Sequence, residues 1–385
     1  MEYKECWQIA NIINGFVFKS SQYVAKGIRV IRIANVQDGY ISDESPCYYP
    51  IEQEKNIGNA MLKENDLLMS LTGNVGRVAI LDKSFLPAGL NQRVECLRPY
   101  DIKDNEYLYY YFRSKQFQMK AMSAATGSAQ LNLSVEWVKK HKIPFYNGEF
   151  RESIVKELKT LDLALSIKKA ALQSLDELVK SRFIEMFGDP VANPFSFEKV
   201  SLGEIANIKI GPFGSLLHRE DYVENGHPLI NPSHIINEKI VSDKNLTISD
   251  KKYEELNAYS LNIGDVVLGR RGEMGRCAVV CEEGLLCGTG SLIISTKGEL
   301  SSAFIQKCIS FPTFKKMIED YAVGQTMLNL NVSIVSKFPI IKPPKSLQIA
   351  YNAFVKLIDK SKFIVQQQIK DLQELLDSKM DEYFR

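Results

Sequence analysis

Histidine and cysteine supply most of the nucleophiles, proton relays and soft metal ligands in proteins, and this chain holds four of the first and seven of the second. His141, His218, His227 and His234 sit in no recognisable metal-binding or triad pattern, which leaves metal-assisted and nucleophilic hydrolysis without a centre. The cysteines are odd in number and scattered. Cys277, Cys281 and Cys287 come closest together but lack the paired C-x-x-C spacing of a zinc site, so buried free thiols are expected instead.

The elements that carry these residues must come from a chain of 385 residues, 45% hydrophobic, 24% charged and 10% aromatic, enough to bury two or more cores of ordinary domain size. A net charge of +2 excludes binding of nucleic acid by bulk attraction and requires local patches for any such role. No run of about 18 apolar residues occurs, and the start MEYKECWQIANI lacks the basic-then-apolar order of a signal peptide. A cytoplasmic protein is expected.

The organising feature is an internal repeat. Ile9-Ala10-Asn11-Ile12 recurs as Ile205-Ala206-Asn207-Ile208, and Gly27 before Val30-Ile31 recurs as Gly226 before Leu229-Ile230. ENDLLMSLTGNVGRVAIL (64–81) aligns with IGDVVLGRRGEMGRCAVV (263–280), matching Asp66 to Asp265, Gly73 to Gly272, Gly76 to Gly275 and Arg77 to Arg276. TGSAQLNLS (126–134) then pairs with VGQTMLNLN (323–331), keeping Gly127 with Gly324 and Leu131-Asn132-Leu133 with Leu328-Asn329-Leu330.

Each copy ends in a long segment free of internal Pro and Gly, 149–187 and 345–385, and both read as helices. Ile154, Leu158, Leu161, Leu165, Leu172, Leu175 and Val179 recur at steps of three and four with one gap at Lys168, the seam of a coiled coil. Phe354, Leu357, Val365, Leu372 and Leu375 give a looser second stripe. One helix alone would leave its stripe wet, so the two are expected to pair, each spanning about 55 Å at 1.5 Å per residue. The alternative is that each merely covers its own domain. The intervening segments read as α/β, with runs such as Arg29–Ile33, Val78–Leu81, Val266–Leu268 and Ala278–Val280, and Phe187-Gly188-Asp189-Pro190 supplies a helix stop.

This combination resembles the specificity subunits of Type I restriction-modification systems, along the whole chain. The resemblance rests on the order globular domain, long helix, globular domain, long helix, on the G-D-x-[LV] strand and G-x-x-G-[KR]-x-[AC] turn, on the late G-x-x-x-x-L-[NS] block, and on the helix exit Ser181–Gly188. It implies an α/β (α+β) fold with two similar target recognition domains separated by two long helices paired as an antiparallel coiled coil. The expected segments are 1–148, 149–187, a linker 188–199, 200–344 and 345–385. It further implies that each domain reads one half of a split, asymmetric DNA target while the helices set the gap. Two methyltransferase subunits would dock on the helices and carry S-adenosylmethionine; motor-nuclease subunits would join through the complex. This chain would hold neither cofactor nor catalytic residue. Two features depart from the pattern: Ile143-Pro144-Phe145-Tyr146 fits the proline-rich helix entry less well than Ile341-Lys342-Pro343-Pro344, and the first copy lacks the strand-forming lead that Lys199–Gly203 gives the second.

Under that resemblance the matched loops must supply phosphate anchors and base readers, Arg or Lys to guanine and Asn or Gln to adenine. The candidates are Asn74, Arg77, Asn91, Gln92, Arg93, Gln130 and Asn132 in the first copy, and Arg270, Arg271, Glu273, Arg276, Gln325 and Asn329 in the second. Arg77 and Arg276 are common to both copies and suit phosphate or shape contact. Asn74 against Glu273, and Leu71-Thr72 against Arg270-Arg271, differ in similar loops, the pattern expected of sequence reading. Asn132 and Asn329 recur and suit a local hydrogen bond; the matched glycines suit tight turns or close approach.

Three other readings compete. A stand-alone methyltransferase would use Asn193-Pro194-Phe195 or Asn231-Pro232-Ser233, but both lack the second proline of the amino-methyltransferase motif and no Gly-rich turn follows a nearby strand. An architectural protein joining two partners without reading DNA, and a specificity chain of another modification-only or phage-defence complex, share every feature above.

Overall fold

The computed structural model describes residues 2–127, 130–213, 216–272, 275–321 and 329–385. Contacts divide the chain into two units, Met1–Leu172 with Ile364–Arg385, and Gln173–Phe363. The division falls inside each long helix, so each globular part is grouped with a stretch of both helices.

In the first unit the two larger sheets are built from Ala10–Asn14 (β1), Ile28–Ile31 (β2), Tyr48–Tyr49 (β3), Leu67–Ser70 (β4), Val78–Ile80 (β5), Ala88–Leu90 (β6) and Val94–Pro99 (β7). β1-β7-β4-β5 form an antiparallel sheet, while β2 pairs antiparallel with β3 and parallel with β6. β4 is buried along its whole length because it is covered on both faces. Leu67 and Met69 enter one core with Tyr107, Leu108, Tyr111 and Phe112, and Leu68 enters another with Ala79, Val94 and Cys96. The helices Asn105–Arg113 (α1), Lys115–Ala124 (α2) and Val135–Lys140 (α3) supply the first of those cores, with Ser114 Oγ capping α2 by accepting from Phe117 N at 3.3 Å.

Gly148–Phe187 forms one continuous helix (α4), entered by Asn147, whose Oδ1 accepts from Phe150 N at 2.9 Å. An asparagine cap thus does what the incomplete proline entry does not. Ile154, Leu158 and Leu165 of α4 share a core with Leu376, Met380 and Phe384 from the end of the chain. Glu157 meets Lys379 at 3.4 Å and accepts from the Tyr383 hydroxyl, so in this unit an early turn of α4 packs on the last turns of the chain. The missing strand lead is present after all: Glu2–Glu5 pairs antiparallel with Lys142–Phe145, as Glu198–Ser201 pairs with Pro339–Lys342 in the second unit. Its charged residues hid it, since a short strand paired to a segment 140 residues away carries no alternation of its own.

The second unit repeats the plan. Its strands include Ala206–Ile210 (β8), His227–Ile230 (β9), Ile235–Ile236 (β10), Lys239–Ile240 (β11), Val266–Gly269 (β12), Cys277–Val279 (β13), Leu285–Cys287 (β14) and Ser291–Thr296 (β15). The order β8-β15-β12-β13 reproduces β1-β7-β4-β5, and β9 runs parallel to β14 as β2 does to β6. Ser302–Ser310 (α5) and Pro312–Tyr321 (α6) correspond to α1 and α2, and Lys345–Phe384 (α7) closes the chain. Phe183 and Phe187 of α4 pack with Phe304 of α5 and Tyr351 and Ile358 of α7, and Asp176 meets Lys362 at 2.5 Å. In this unit a late stretch of α4 pairs with the early part of α7. The helices are therefore antiparallel, as expected.

The stripe on α7 needs correction. Tyr351, Ile358, Leu376, Met380 and Phe384 are buried, with Phe354, Val365 and Leu372 half-buried, whereas Leu357 and Leu375 are 62% and 45% exposed. Each of those two leucines adjoins another apolar residue, Ile358 and Leu376, and the coiled-coil step selects the neighbour. On α4, Leu161, Leu172 and Leu175 are half-buried and Val179 is buried. Cys6, Cys96, Cys277, Cys287 and Cys308 are buried, Cys47 is half-buried and Cys281 exposed; all seven are free. Among the described residues no helix is long and apolar enough to cross a membrane.

Candidate nucleic-acid interface

The matched aspartates build the strands that carry the loops. Asp66 accepts from Lys63 N at 2.7 Å and holds Arg98 through both carboxylate oxygens at 2.7 Å; Asp265 accepts from Asn262 N at 2.9 Å and from Ser295 Oγ at 2.6 Å. The loop that follows each strand bends at a glycine pair with left-handed φ, 73° and 80° at Gly73 and Gly76, 77° and 76° at Gly272 and Gly275. A side chain there would be strained, and at Gly275 a Cβ would come within 2.7 Å of Lys315 Cγ.

In the first unit the late block folds back on this loop. Gly73 N donates to Leu131 O at 2.8 Å and Leu133 N to Leu71 O at 2.7 Å, and the Thr72 hydroxyl donates to Asn132 Oδ1 at 2.9 Å. The two segments thus frame an open cleft of about 290 Å³, walled also by Ile33, Ala34, Val36 and Gln37. Asn74, Arg77, Arg93 and Gln130 meet at this cleft. Arg77 Nη1 donates to Gln37 Oε1 at 2.7 Å, and Asn74, its amide oxygen turned toward the guanidinium, accepts from Arg77 at 3.0 and 3.2 Å. Gln92 is exposed beside the cleft, while Asn91 is buried and its Oδ1 accepts from Arg93 N at 3.3 Å, which makes it a support of the turn. Gln37 did not come from the sequence: it lies outside the matched blocks, and only the fold of the 33–37 loop brings it to Arg77.

The second unit keeps the frame and changes the side chains. Leu330 N donates to Arg270 O at 3.0 Å, the counterpart of Leu133 on Leu71, and Gly269 N donates to Arg276 O at 2.8 Å. Arg270 is only 9% exposed and its Nε donates to Asn329 Oδ1 at 3.0 Å; burial, with Arg271 adding to it, pulls its guanidinium below the usual arginine range. Arg270 therefore braces the loop through its Nε, and both recurrent asparagines make the local bond expected of them. Arg271 is exposed and Arg276 half-buried. Glu273 and Gln325 lie outside the described residues.

Together the rims offer guanidinium donors and amide donor–acceptor pairs, the groups that match base edges and phosphate oxygens. Among the described residues no cluster of three His, Cys, Asp or Glu is placed to hold a metal ion.

The profile of the family described as Type I restriction modification DNA specificity domain matches the chain twice, at residues 1–177 and 194–376. The MjaIX specificity subunit of a Type I restriction enzyme from Methanocaldococcus jannaschii is 24% identical over 355 residues, 84% of this chain and 80% of that one. The MjaVIII specificity subunit of the same organism is 24% identical over 178 residues, and that match spans 45% of this chain and less than half, 42%, of the relative. Among solved structures, the S subunit of a Type I restriction-modification system from M. genitalium superposes with a TM-score of 0.55 at 16% identity, covering 100% of this chain and 96% of that one.

Proposed function

This chain belongs to the family of specificity subunits of Type I restriction-modification systems, and on that premise we propose that each of its two recognition units reads one half of a bipartite, asymmetric DNA target. The observation that carries the reading is a loop frame built twice with different rims. Gln37, Thr72 and Asn74 in the first copy correspond in the repeat to Ile236, Arg271 and Glu273 in the second. A frame repeated for architecture alone has no reason to vary its polar rim, whereas two readers of different half-sites must.

The long helices set the unread gap and dock two methyltransferase subunits, through which motor-nuclease subunits join. Exposed apolar residues on the helices support docking: Leu163, Ile167, Ile364 and Leu375 in the first unit, Leu178, Ile349, Leu357 and Phe363 in the second. Adenine methylation and its cofactor, S-adenosylmethionine, belong to those partners in this reading.

Single-molecule sequencing of methylated adenines tests it, in DNA from cells carrying the neighbouring methyltransferase gene with and without this chain. A split motif of fixed gap that disappears with the chain is expected. Methylation that is unchanged by its removal, in a complex shown to assemble by co-purification, would leave only an architectural role.

A further inference from the structure

Beside the reading loops the two units differ in chemistry. In the first, α1 ends in Arg113, whose guanidinium donates to Asp162 of α4 at 2.9 Å, meets Asp38 at 3.2 Å and lies 4.9 Å from the Tyr109 ring. In the second, α5 is the same length, and the positions of Tyr109, Tyr110 and Arg113 are taken by Gln306, Lys307 and Ser310. Gln306 Nε2 donates to Ser310 Oγ at 2.9 Å and Lys307 pairs with Glu238, so among the described residues of α5 no arginine–tyrosine cluster takes that place. What remains is an open cavity of about 1090 Å³.

Its wall is basic. Lys180 of α4, Lys239 of the β10–β11 hairpin, Arg276 of the reading loop, Lys307 of α5, Lys315 of α6 and Lys362 of α7 all line it. Six cations face three carboxylates, in a chain whose whole net charge is +2. Two of the three, Asp176 and Glu238, are already matched by Lys362 and Lys307. Burial pushes the Glu238 carboxyl up, but Lys307 and the neighbouring donors overcome it and hold the group below the usual carboxylate range, ionised. Lys180, Lys239 and Lys315 form no ion pair among the described residues, although Lys180 also pulls on Glu238, and six cations against three carboxylates leave the wall an excess of three positive charges.

The cavity is continuous with the reading frame. Ser233, Ile235, Ile236 and Arg276 in its wall occupy the positions of Ala34, Val36, Gln37 and Arg77, which line the cleft of the first unit. Ammonium groups around a water-filled space select an anion rich in acceptor oxygens. We propose that this cavity seats backbone phosphate of the duplex engaged by the second unit, giving that half of the target an anchor that the Arg113 cluster denies to the other. The inference rests on the DNA-reading function above.

The test uses the full chain assembled with its methyltransferase partner and a duplex bearing its methylated motif, titrated across a salt series. The triple variant K180Q/K239Q/K315Q should bind the motif and scrambled duplexes more weakly by the same factor. Each phosphate contact removed should make log affinity against log salt concentration shallower by about 0.9. K239Q alone, on an exposed hairpin, guards against misfolding and should give a smaller shift in the same direction; the corresponding Lys→Arg variants should restore the slope. An unchanged slope overturns the site, as does unchanged DNA binding with weakened retention of the methyltransferase, which would make it a protein-docking surface. A wild-type complex that fails to discriminate its motif from scrambled DNA overturns the function itself, a different outcome from either.

Discussion

Asn74 and Gln37 flank Arg77 from opposite loops, and that geometry separates two kinds of contact at the residue scale. Arg77 has a counterpart in the second unit while its two partners do not, so changing each should have a different signature. N74A should relax discrimination at one position of one half-site, by about 1–3 kcal/mol for a bidentate amide–base pair, with the other half-site untouched. R77A should instead weaken binding across sequences. Methylome sequencing of cells expressing each variant measures both, and loss of specificity in R77A equal to that in N74A would contradict the division. A second residue-level prediction concerns Glu95 on β7, 1% exposed, one oxygen without a hydrogen-bond partner, its carboxyl pushed up to about 8 by burial against a modest opposing pull from Lys139. From its ordinary value of 4.5 up to about 8 the folded chain holds a proton the unfolded chain has lost. Stability is therefore highest below that window and falls as pH rises through it. E95Q should match wild type in thermal midpoint near pH 5 and exceed it by several degrees at pH 8.5, within a ceiling of roughly 4–5 kcal/mol; equal midpoints at both pH values would refute it. The sequence located the glycine turns and recurrent asparagines, since they lie in matched blocks. It did not reveal that Arg270 braces its loop, because an arginine in a loop looks free until Asn329, 59 residues on, is folded against it.

At the scale of elements the long helices were legible in extent and orientation but not in the detail of one face. Absence of Pro and Gly bounded α4 and α7 to within a residue or two, because those are the residues that break helices. The α4 seam followed from leucines spaced three and four apart. On α7, apolar pairs at 357–358 and 375–376 satisfy the same spacing with either member, and only packing chooses. That ambiguity separates two roles. Leu376 is buried in the first unit's core with Leu158 and Leu165, and L376A should cost about 2–5 kcal/mol in chemical denaturation. Leu357, one residue before buried Ile358, faces solvent; L357S should leave the denaturation midpoint unchanged and reduce retention of the methyltransferase on a tagged chain. A fall in stability from L357S, or full retention, would place that leucine in the fold and not on a docking face.

For the whole molecule the repeat makes a claim that no single residue can: if two copies of one frame read two half-sites, gap and half-sites must be separable. Replacing residues 200–340 with the equivalent segment of another family member should alter one half-site and leave the other as it was, because each unit has its own cores and its own loop frame. The helices carry the complementary prediction. Removing one heptad from each, residues 165–171 of α4 with the seven residues that face them on α7, keeps both seams in phase, since the stripe repeats at that interval. Each helix shortens by about 10 Å at 1.5 Å per residue, and a duplex advancing about 34 Å per turn of ten base pairs covers that length in about three. The methylated motif should keep both half-sites and lose about three base pairs of gap, or be lost altogether where the rotation of one half-site about the duplex axis cannot be absorbed. An intact motif with its original gap, from a variant that folds and retains its methyltransferase, would mean that the helices do not measure the distance and that the partner subunits do.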